Sequence, residues 1–176
     1  MTRLGALTDM PSQTECRSKL DNHADTCVVG NKTVLLIHDY VRPVQVHGYD
    51  EGVGETEALR TVSAVIAYDH PESGDTYMLI LHQAILITQM ENNLLFPLQM
   101  RDNNVRVNDE PKFMVLTPTD NHRAILILGI DQDQQPLNIP LSIKGVISYF
   151  PSRKPTREEY EGSEPALISS SDRKTR

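Results

Sequence analysis

The chain contains, in direct succession, Arg60-Thr-Val-Ser-Ala-Val-Ile-Ala-Tyr68, Asp69-His-Pro-Glu-Ser-Gly-Asp75 and Thr76-Tyr-Met-Leu-Ile-Leu-His-Gln-Ala-Ile-Leu-Ile87. The first and third stretches are rich in β-branched and aromatic residues, and the middle one is a polar turn. This pattern predicts an antiparallel hairpin. Both stretches are apolar on both faces, so we expect other strands or a second subunit to cover at least part of them.

The same pattern extends outward from the hairpin. Short runs of Val, Ile, Leu, Thr and Tyr alternate with clusters of Gly, Pro, Asn and Asp, which is typical of an all-β sandwich or small barrel. A short helix is expected at Leu94 to Met100, and another after Pro155, where Thr156 and Glu159 have capping-box spacing and Gly162 can end the helix. The further predicted strands are Ser18 to Leu20, Thr33 to Ile37, Pro43 to His47, Val105 to Asn108, Phe113 to Leu116, Ala124 to Leu128 and Leu141 to Phe150.

The length of the chain predicts one domain. It has 176 residues and no internal repeat, which is enough to bury a core without help from disulfides. Residues 1–14 and the residues after 162 are poor in apolar runs and look like tails. We therefore divide the chain into a flexible tail at 1–14, a β domain at 15–150, and a short helix followed by a disordered tail at 151–176.

Charge and cysteine content narrow the range of partners. Lys and Arg total 17 against 24 Asp and Glu, a net charge of −7, which disfavours direct nucleic-acid binding. The two cysteines, Cys16 and Cys27, are typical of a reduced intracellular protein. The longest apolar run, Ala124 to Ile130, is too short to cross a membrane, and the N-terminal residues lack a signal-peptide core. We expect an intracellular, cytoplasmic protein with no membrane partner.

One polar loop stands out, in the segment Leu20-Asp-Asn-His-Ala-Asp-Thr-Cys-Val-Val29. A carboxylate at the end of a strand lies on a rigid base. In the first interpretation, Asp21 is half of an aspartic dyad, in which two carboxylates about 3 Å apart share one proton and activate a water. A chain with one such aspartate needs the second from an identical subunit across a two-fold axis. This interpretation predicts an obligate homodimer and requires no metal or cofactor.

Two other interpretations of the loop remain open. Asp21, His23, Asp25 and Cys27 alternate, so an extended strand would present all four to a zinc-like ion, although neighbouring same-face positions are nearly 7 Å apart. Alternatively, Asp21 and Asn22 simply cap a turn and His23 is exposed to solvent. A protomer that buried Asp21, or bound its carboxylate into its own hydrogen-bonded turn, would count against the dyad.

Three segments resemble one family. The loop Leu20-Asp21-Asn22-His23-Ala24-Asp25-Thr26 resembles the Asp-[Ser/Thr]-Gly-Ala-[Asp/Ser] active-site loop of retroviral-type aspartic proteases, and more closely the Asp-[Ser/Thr]-His-Ala-Asp-Thr-Cys form of copia-type retrotransposon polyproteins. Met90-Glu-Asn-Asn-Leu-Leu-Phe-Pro-Leu-Gln-Met100 is similar to that family's Asn-Leu-Leu-x-x-x-Gln-Leu segment. Leu141-Ser-Ile-Lys-Gly-Val-Ile-Ser-Tyr-Phe-Pro-Ser-Arg-Lys-Pro-Thr156 is similar to a later Ser-Tyr-Phe-Pro-Thr-Arg-Lys-Pro-Thr stretch of the same polyproteins. The likeness runs from about Lys19 to Glu159, in the family's order.

The resemblance implies a retropepsin-like closed barrel or sandwich with a flap hairpin and one or two short helices. It also implies a homodimer that cleaves the element's own Gag-Pol-type polyprotein, with Asp21 as the catalytic aspartate, no cofactor, and a place in virus-like particles if the element is active. Asn22, His23, Ala24, Asp25 and Thr26 would form the active-site loop. Two interpretations of the glycine-rich loop Gly48 to Gly54 stay open: a flexible loop near the expected flap that covers the substrate, or a plain connection.

Asn22 departs from the copia-type pattern, whereas His23 agrees with it and departs only from most other aspartic proteases. Asn22 stands where the family has Ser or Thr, whose hydroxyl ties the two active-site loops together across the dimer. His23 stands where most aspartic proteases have Gly, so a side chain occupies a turn that is usually bare. These departures leave open a degenerate copy. They also leave open a different class of protein, a non-catalytic β domain used for homodimerisation or partner binding.

Overall fold

The structure is a computed structural model, and it describes residues 16–45, 58–110, 114, 116–117, 122–128 and 136–169. Strands account for 51% of these residues and helices for 10%, which confirms the predicted all-β class. The predicted tail at 1–14 and the loop Gly48 to Gly54, where the flap is expected, lie outside the described residues.

The described residues form twelve strands and two short helices. In chain order they are β1 (Cys16–Leu20), β2 (Val28–Val29), β3 (Leu35–Asp39), β4 (Arg60–Asp69), β5 (Thr76–Leu86), β6 (Asn93–Leu95), α1 (Pro97–Asp102), β7 (Arg106–Asp109), β8 (Arg123–Ile127), β9 (Leu137–Pro140), β10 (Ser142–Lys144), β11 (Ile147–Ser152), α2 (Arg157–Glu161) and β12 (Ala166–Ser169).

The strands form two sheets. The larger sheet has nine strands in the order β10-β11-β1-β6-β2-β5-β4-β3, with β12 also paired to β5, and the smaller has the order β7-β8-β9. Among the described strands the path of the larger sheet ends at β10 and β3, so the expected closed barrel is not found. The sheet is mixed, because β1 runs parallel to β6 and antiparallel to β11.

The central hairpin matches its prediction closely. Strands β4 and β5 pair antiparallel from Arg60 opposite Leu86 to Asp69 opposite Thr76, with a bulge between Val62 and Ala64. One face of β4 enters the main core, and the other forms a smaller cluster that includes Val65, Ala67 and Met78. Both faces are therefore packed, as the apolar pattern indicated.

Several strand boundaries differ from the predictions. The predicted strand Leu141 to Phe150 is two strands, β10 and β11, because Gly145 adopts a φ of +65° in a two-residue turn between them. Met114 and Leu116, which are described, do not lie in a strand, so the prediction there was wrong. A helix is predicted at Leu94 to Met100, but its first residues belong to β6 and α1 begins only at Pro97. Proline is favoured at the first position of a helix. The predicted C-terminal tail contains β12.

One core joins both sheets. Leu20, Leu95 and Phe150 of the larger sheet pack in the same buried cluster as Ile125 and Ile139 of the smaller one. This packing holds the end of β1, where the polar loop begins, against a fixed apolar base. No helix in the described part of the chain has the length and apolar character needed to cross a membrane.

The predicted capping box of α2 is confirmed and joins a charged cluster. Glu159 N donates to Thr156 Oγ1 at 3.2 Å, and Thr156 N donates to Glu159 Oε2 at 2.7 Å. Arg153 donates to Glu159 and, at 2.7 and 3.0 Å, to Asp69 on β4. The hydrogen bond from Arg153 lowers the pKa of Glu159 to about 2 and also holds the pKa of Asp69 below its ordinary value.

This cluster makes stability depend on pH in the acid range. Because the pKa of Glu159 is depressed in the folded chain, its contribution is present above the ordinary carboxyl value of 4.5 and is lost as the pH falls toward about 2. We expect the unfolding temperature of Glu159→Gln to fall less than that of the wild type between these pH values. Glu158→Gln, on the same turn, is the control and should keep the wild-type pH dependence. Equal pH profiles for the wild type and Glu159→Gln would contradict this assignment.

Candidate functional site

The polar loop begins where two parallel strands end. β1 and β6 are in parallel register, with Leu20 opposite Leu95. The pairing continues one residue further, because Asp21 N donates to Leu95 O at 2.9 Å. The backbone of Asp21 is therefore held by a strand from a distant part of the sequence, and this confirms that the aspartate lies at a strand end.

The Asp21 carboxylate takes part in a turn. Its Oδ1 accepts a hydrogen bond from His23 N at 2.9 Å and lies 3.8 Å from His23 Nδ1. The Asp21 side chain is 35% exposed and that of His23 is 99% exposed. Both features of the simple turn interpretation, an aspartate cap and an exposed histidine, are therefore present.

The same bond bears on the dyad. It meets the second of the two conditions that count against the dyad, since the carboxylate is bound within its own turn. It uses only one of about four acceptor positions on the two oxygens. Within the described part of the chain, no hydrogen bond engages Oδ2. The group is partly exposed and held in one orientation, so a second copy could still reach it.

The far end of the loop is anchored in the core. Cys27 is fully buried and packs as a small core residue. Its N–H donates to Gln99 Oε1 at 3.1 Å, and its Sγ accepts from Phe96 N at 3.3 Å. Sequence reasoning missed the role of Gln99, a buried side chain of α1 whose Nε2 has no hydrogen-bond partner among the described residues. The only signal was that Gln99 lies in the Met90 to Met100 segment.

The remaining loop residues do not converge on one point. Asn22 and Asp25 are exposed, and Ala24 and Thr26 are half-buried. The metal hypothesis required Asp21, His23, Asp25 and Cys27 on one face, but Cys27 faces the core and His23 faces solvent. In the described ranges no group of three or more His, Cys, Asp or Glu side chains is arranged to hold a metal ion.

A buried polar network supports the two strands that carry the site. Asn93 of β6 donates to Ser18 Oγ of β1 at 3.3 Å and accepts from Thr33 Oγ1 at 2.6 Å. Ser18 Oγ lies 2.8 Å from Ser152 Oγ of β11. Buried polar groups that are mutually satisfied specify one arrangement of the elements they join. The network therefore fixes the register of β11, β1 and β6 behind Asp21.

A cavity of about 610 Å³ lies away from the polar loop. Its lining includes Cys16, which lies at the opposite end of β1 from Asp21. Asp21 is five positions further along the chain, which in a strand is a distance of about 17 Å. Burial raises the pKa of the Cys16 thiol, which keeps it protonated near neutral pH. Asp21 does not line this cavity and belongs to the protein surface. The other lining residues are Lys32, Thr33, Glu91, Arg153, Lys154, Thr156 and Glu159.

Comparisons of the chain with family models, with curated proteins and with solved structures find no match.

Proposed function

We propose that this chain is the retropepsin-like aspartic endopeptidase domain of a copia-type retrotransposon polyprotein. The observation that carries the proposal is the placement of Asp21, a partly exposed carboxylate one residue past β1 whose backbone N–H is bonded to Leu95 O. The order of the three family-like segments supports it further. In this proposal the protein acts inside the cell, within the particle if the element assembles one, and its substrate is its own Gag-Pol-type precursor.

The mechanism needs two copies of Asp21. Two carboxylates about 3 Å apart share one proton, so the pair titrates as a unit and one member stays ionised. The ionised carboxylate removes a proton from a water as that water attacks the peptide carbonyl, and the protonated member gives its proton to the carbonyl oxygen. Collapse of the tetrahedral intermediate breaks the C–N bond. The carboxyl that took the water's proton gives it to the leaving amine, and the other carboxylate regains a proton from a hydroxyl of the intermediate, which restores the shared-proton pair. The His23 N–H would keep Oδ1 turned in one direction through these steps.

Concentration dependence tests this proposal, because an active site shared by two copies exists only in the dimer. We expect the cleavage rate of Gag-Pol-type polypeptide, measured between about pH 3 and 7, to rise with the square of chain concentration below the dimer dissociation constant. Sedimentation measurements at the same concentrations give the dimer fraction. A rate that stays proportional to chain concentration where the protein is monomeric would contradict a shared site.

A non-catalytic β domain for homodimerisation or partner binding is the second candidate. The hydrogen bond from His23 N to Asp21 and the exposed His23 side chain favour it, since both are what an ordinary surface turn would show. Dimers that cleave nothing across the same pH range would select this candidate over the protease.

A further inference from the structure

The β10–β11 hairpin exposes an unusual amount of apolar surface. Val146, in the two-residue turn, is 95% exposed, and Ile143 and Ile147 on either side are about half exposed. A Cβ built on Gly145 meets nothing within 4 Å. Among the described strands β10 is also the end of the sheet, so one edge of its backbone is unpaired. Exposed apolar edges of this kind are normally covered in proteins that remain in solution.

The strand register places the tip of this hairpin beside Asp21. β1 and β11 are antiparallel, with Lys19 opposite Tyr149. The pairing ends there, and Asp21 and Ile147 each lie two residues further toward the same end of the two strands. The turn that holds Val146 therefore extends just beyond the end of β1 that carries the carboxylate.

The base of the hairpin is held firmly. Ser148 is buried and its hydroxyl donates to Asp109 of the smaller sheet. Phe150 is fully buried and meets the Tyr68 ring edge-on at a centroid distance of 5.9 Å. The tip cannot fold back over its own protomer without breaking these contacts. Its apolar surface is thus presented outward in a fixed position.

We infer that the tip of this hairpin, residues 143–147, is a contact surface for a second copy of this chain. The inference rests on the proposed function for the position of the two-fold axis. An axis that brings two Asp21 carboxylates within about 3 Å passes close to the end of β1, and β11 is the strand beside β1 in the sheet, so the hairpin tip lies near the partner. Ile147 and its turn would then lie in the interface.

The charges near the tip fit the same occupant. Lys144 of the hairpin and Asp25 of the polar loop are both exposed, and they carry opposite charges. An isologous contact that lays the hairpin of one copy on the loop of the other pairs these two side chains twice, once on each side of the axis. Attraction at this site offsets part of the repulsion between two chains of net charge −7.

A pair of matched variants tests the inference. Val146→Asp places a charge on the tip, and Val41→Asp places the same charge on a valine that is 96% exposed in the turn after β3, at the other end of the sheet. By sedimentation equilibrium we expect Val146→Asp to raise the dimer dissociation constant about 100-fold, because a buried interface charge without a partner is costly. Val41→Asp should change it less than about twofold, since exposed substitutions have small effects. Circular dichroism and thermal unfolding check that both variants fold like the wild type.

The outcomes separate this inference from the proposed function. Wild-type dimers that Val146→Asp breaks, but that cleave no polypeptide, support the hairpin contact and overturn the protease. Val146→Asp dimers as tight as the wild type overturn the hairpin contact, whether or not they cleave. A raised KM with an unchanged dimer would mean that the tip binds substrate instead, which also overturns it. A wild type that is monomeric at every concentration overturns the contact as well.

Discussion

Asp21→Asn should lose peptide cleavage by about 10⁴-fold or more while keeping its fold and its dimer. The asparagine has the same shape, and its Oδ1 can still accept the hydrogen bond from His23 N, so the turn is preserved. An amide cannot hold the shared proton or act as a carboxylate base, so the reaction loses the group that activates water. Initial rates on Gag-Pol-type polypeptide, with sedimentation on the same samples, measure both effects.

The control for this variant is Asp75→Asn. Asp75 is also an exposed aspartate, but it lies in the turn between β4 and β5. It should retain the wild-type rate. Cleavage by Asp21→Asn at more than about a tenth of that rate would falsify the assignment of Asp21. Trace contamination with wild-type protein could not account for a rate that high.

Gly30→Ala should cause a large loss of stability. A Cβ at residue 30 would lie 2.0 Å from the backbone oxygen of Met90, a group that cannot move without disturbing the turn that Met90 N closes with Ile87 O. Gly30 is also buried, and its N–H donates to Thr33 Oγ1 at 3.2 Å. We expect a loss of about 3 kcal/mol or more, which for a domain of this size lowers the unfolding temperature by about 6–12 °C.

Gly162→Ala provides the matched comparison. Its nearest contact would be Glu158 O at 3.4 Å, an ordinary van der Waals distance, and its φ is −88°. The change should alter stability by less than about 0.5 kcal/mol. Thermal unfolding of the two alanine variants at one pH gives the comparison, and equal unfolding temperatures would show that the turns at Gly30 and Met90 yield more easily than the structure indicates.

The elements with strong local patterns could be predicted from the sequence. The β4–β5 hairpin has long β-branched runs and a turn rich in polar residues, and α2 has its capping box, so both follow from neighbouring residues alone. The strands β2, β6 and β12 are two to four residues long, too short to show a period. Each is a strand only because a distant segment pairs with it, and β12 lies in a region whose composition resembles a tail.

The candidate site divides in the same way. The position of Asp21 at a strand end could be predicted, because an apolar run stops there and a polar turn begins. The contacts that hold the loop could not be predicted. Leu95 and Gln99 reach it only because β6, which is distant in sequence, pairs in parallel with β1. Whether Asp21, His23, Asp25 and Cys27 share a face was also beyond the sequence, because alternation implies one face only in an extended strand. The chain turns there, and their side chains separate.

The sheet around Asp21 is complete only when both β1 and β11 have been made. β1 is completed on one side by β11, and the contact between Cys16 and Ser152 spans 136 residues of sequence. A ribosome that has released this sequence only as far as residue 100 has made Asp21 but not β11. Since domains fold as units once their sequence is available, the sheet around Asp21 would assemble only after β11 has been made. Under the proposed function, a precursor cannot cleave itself until β11 has been translated.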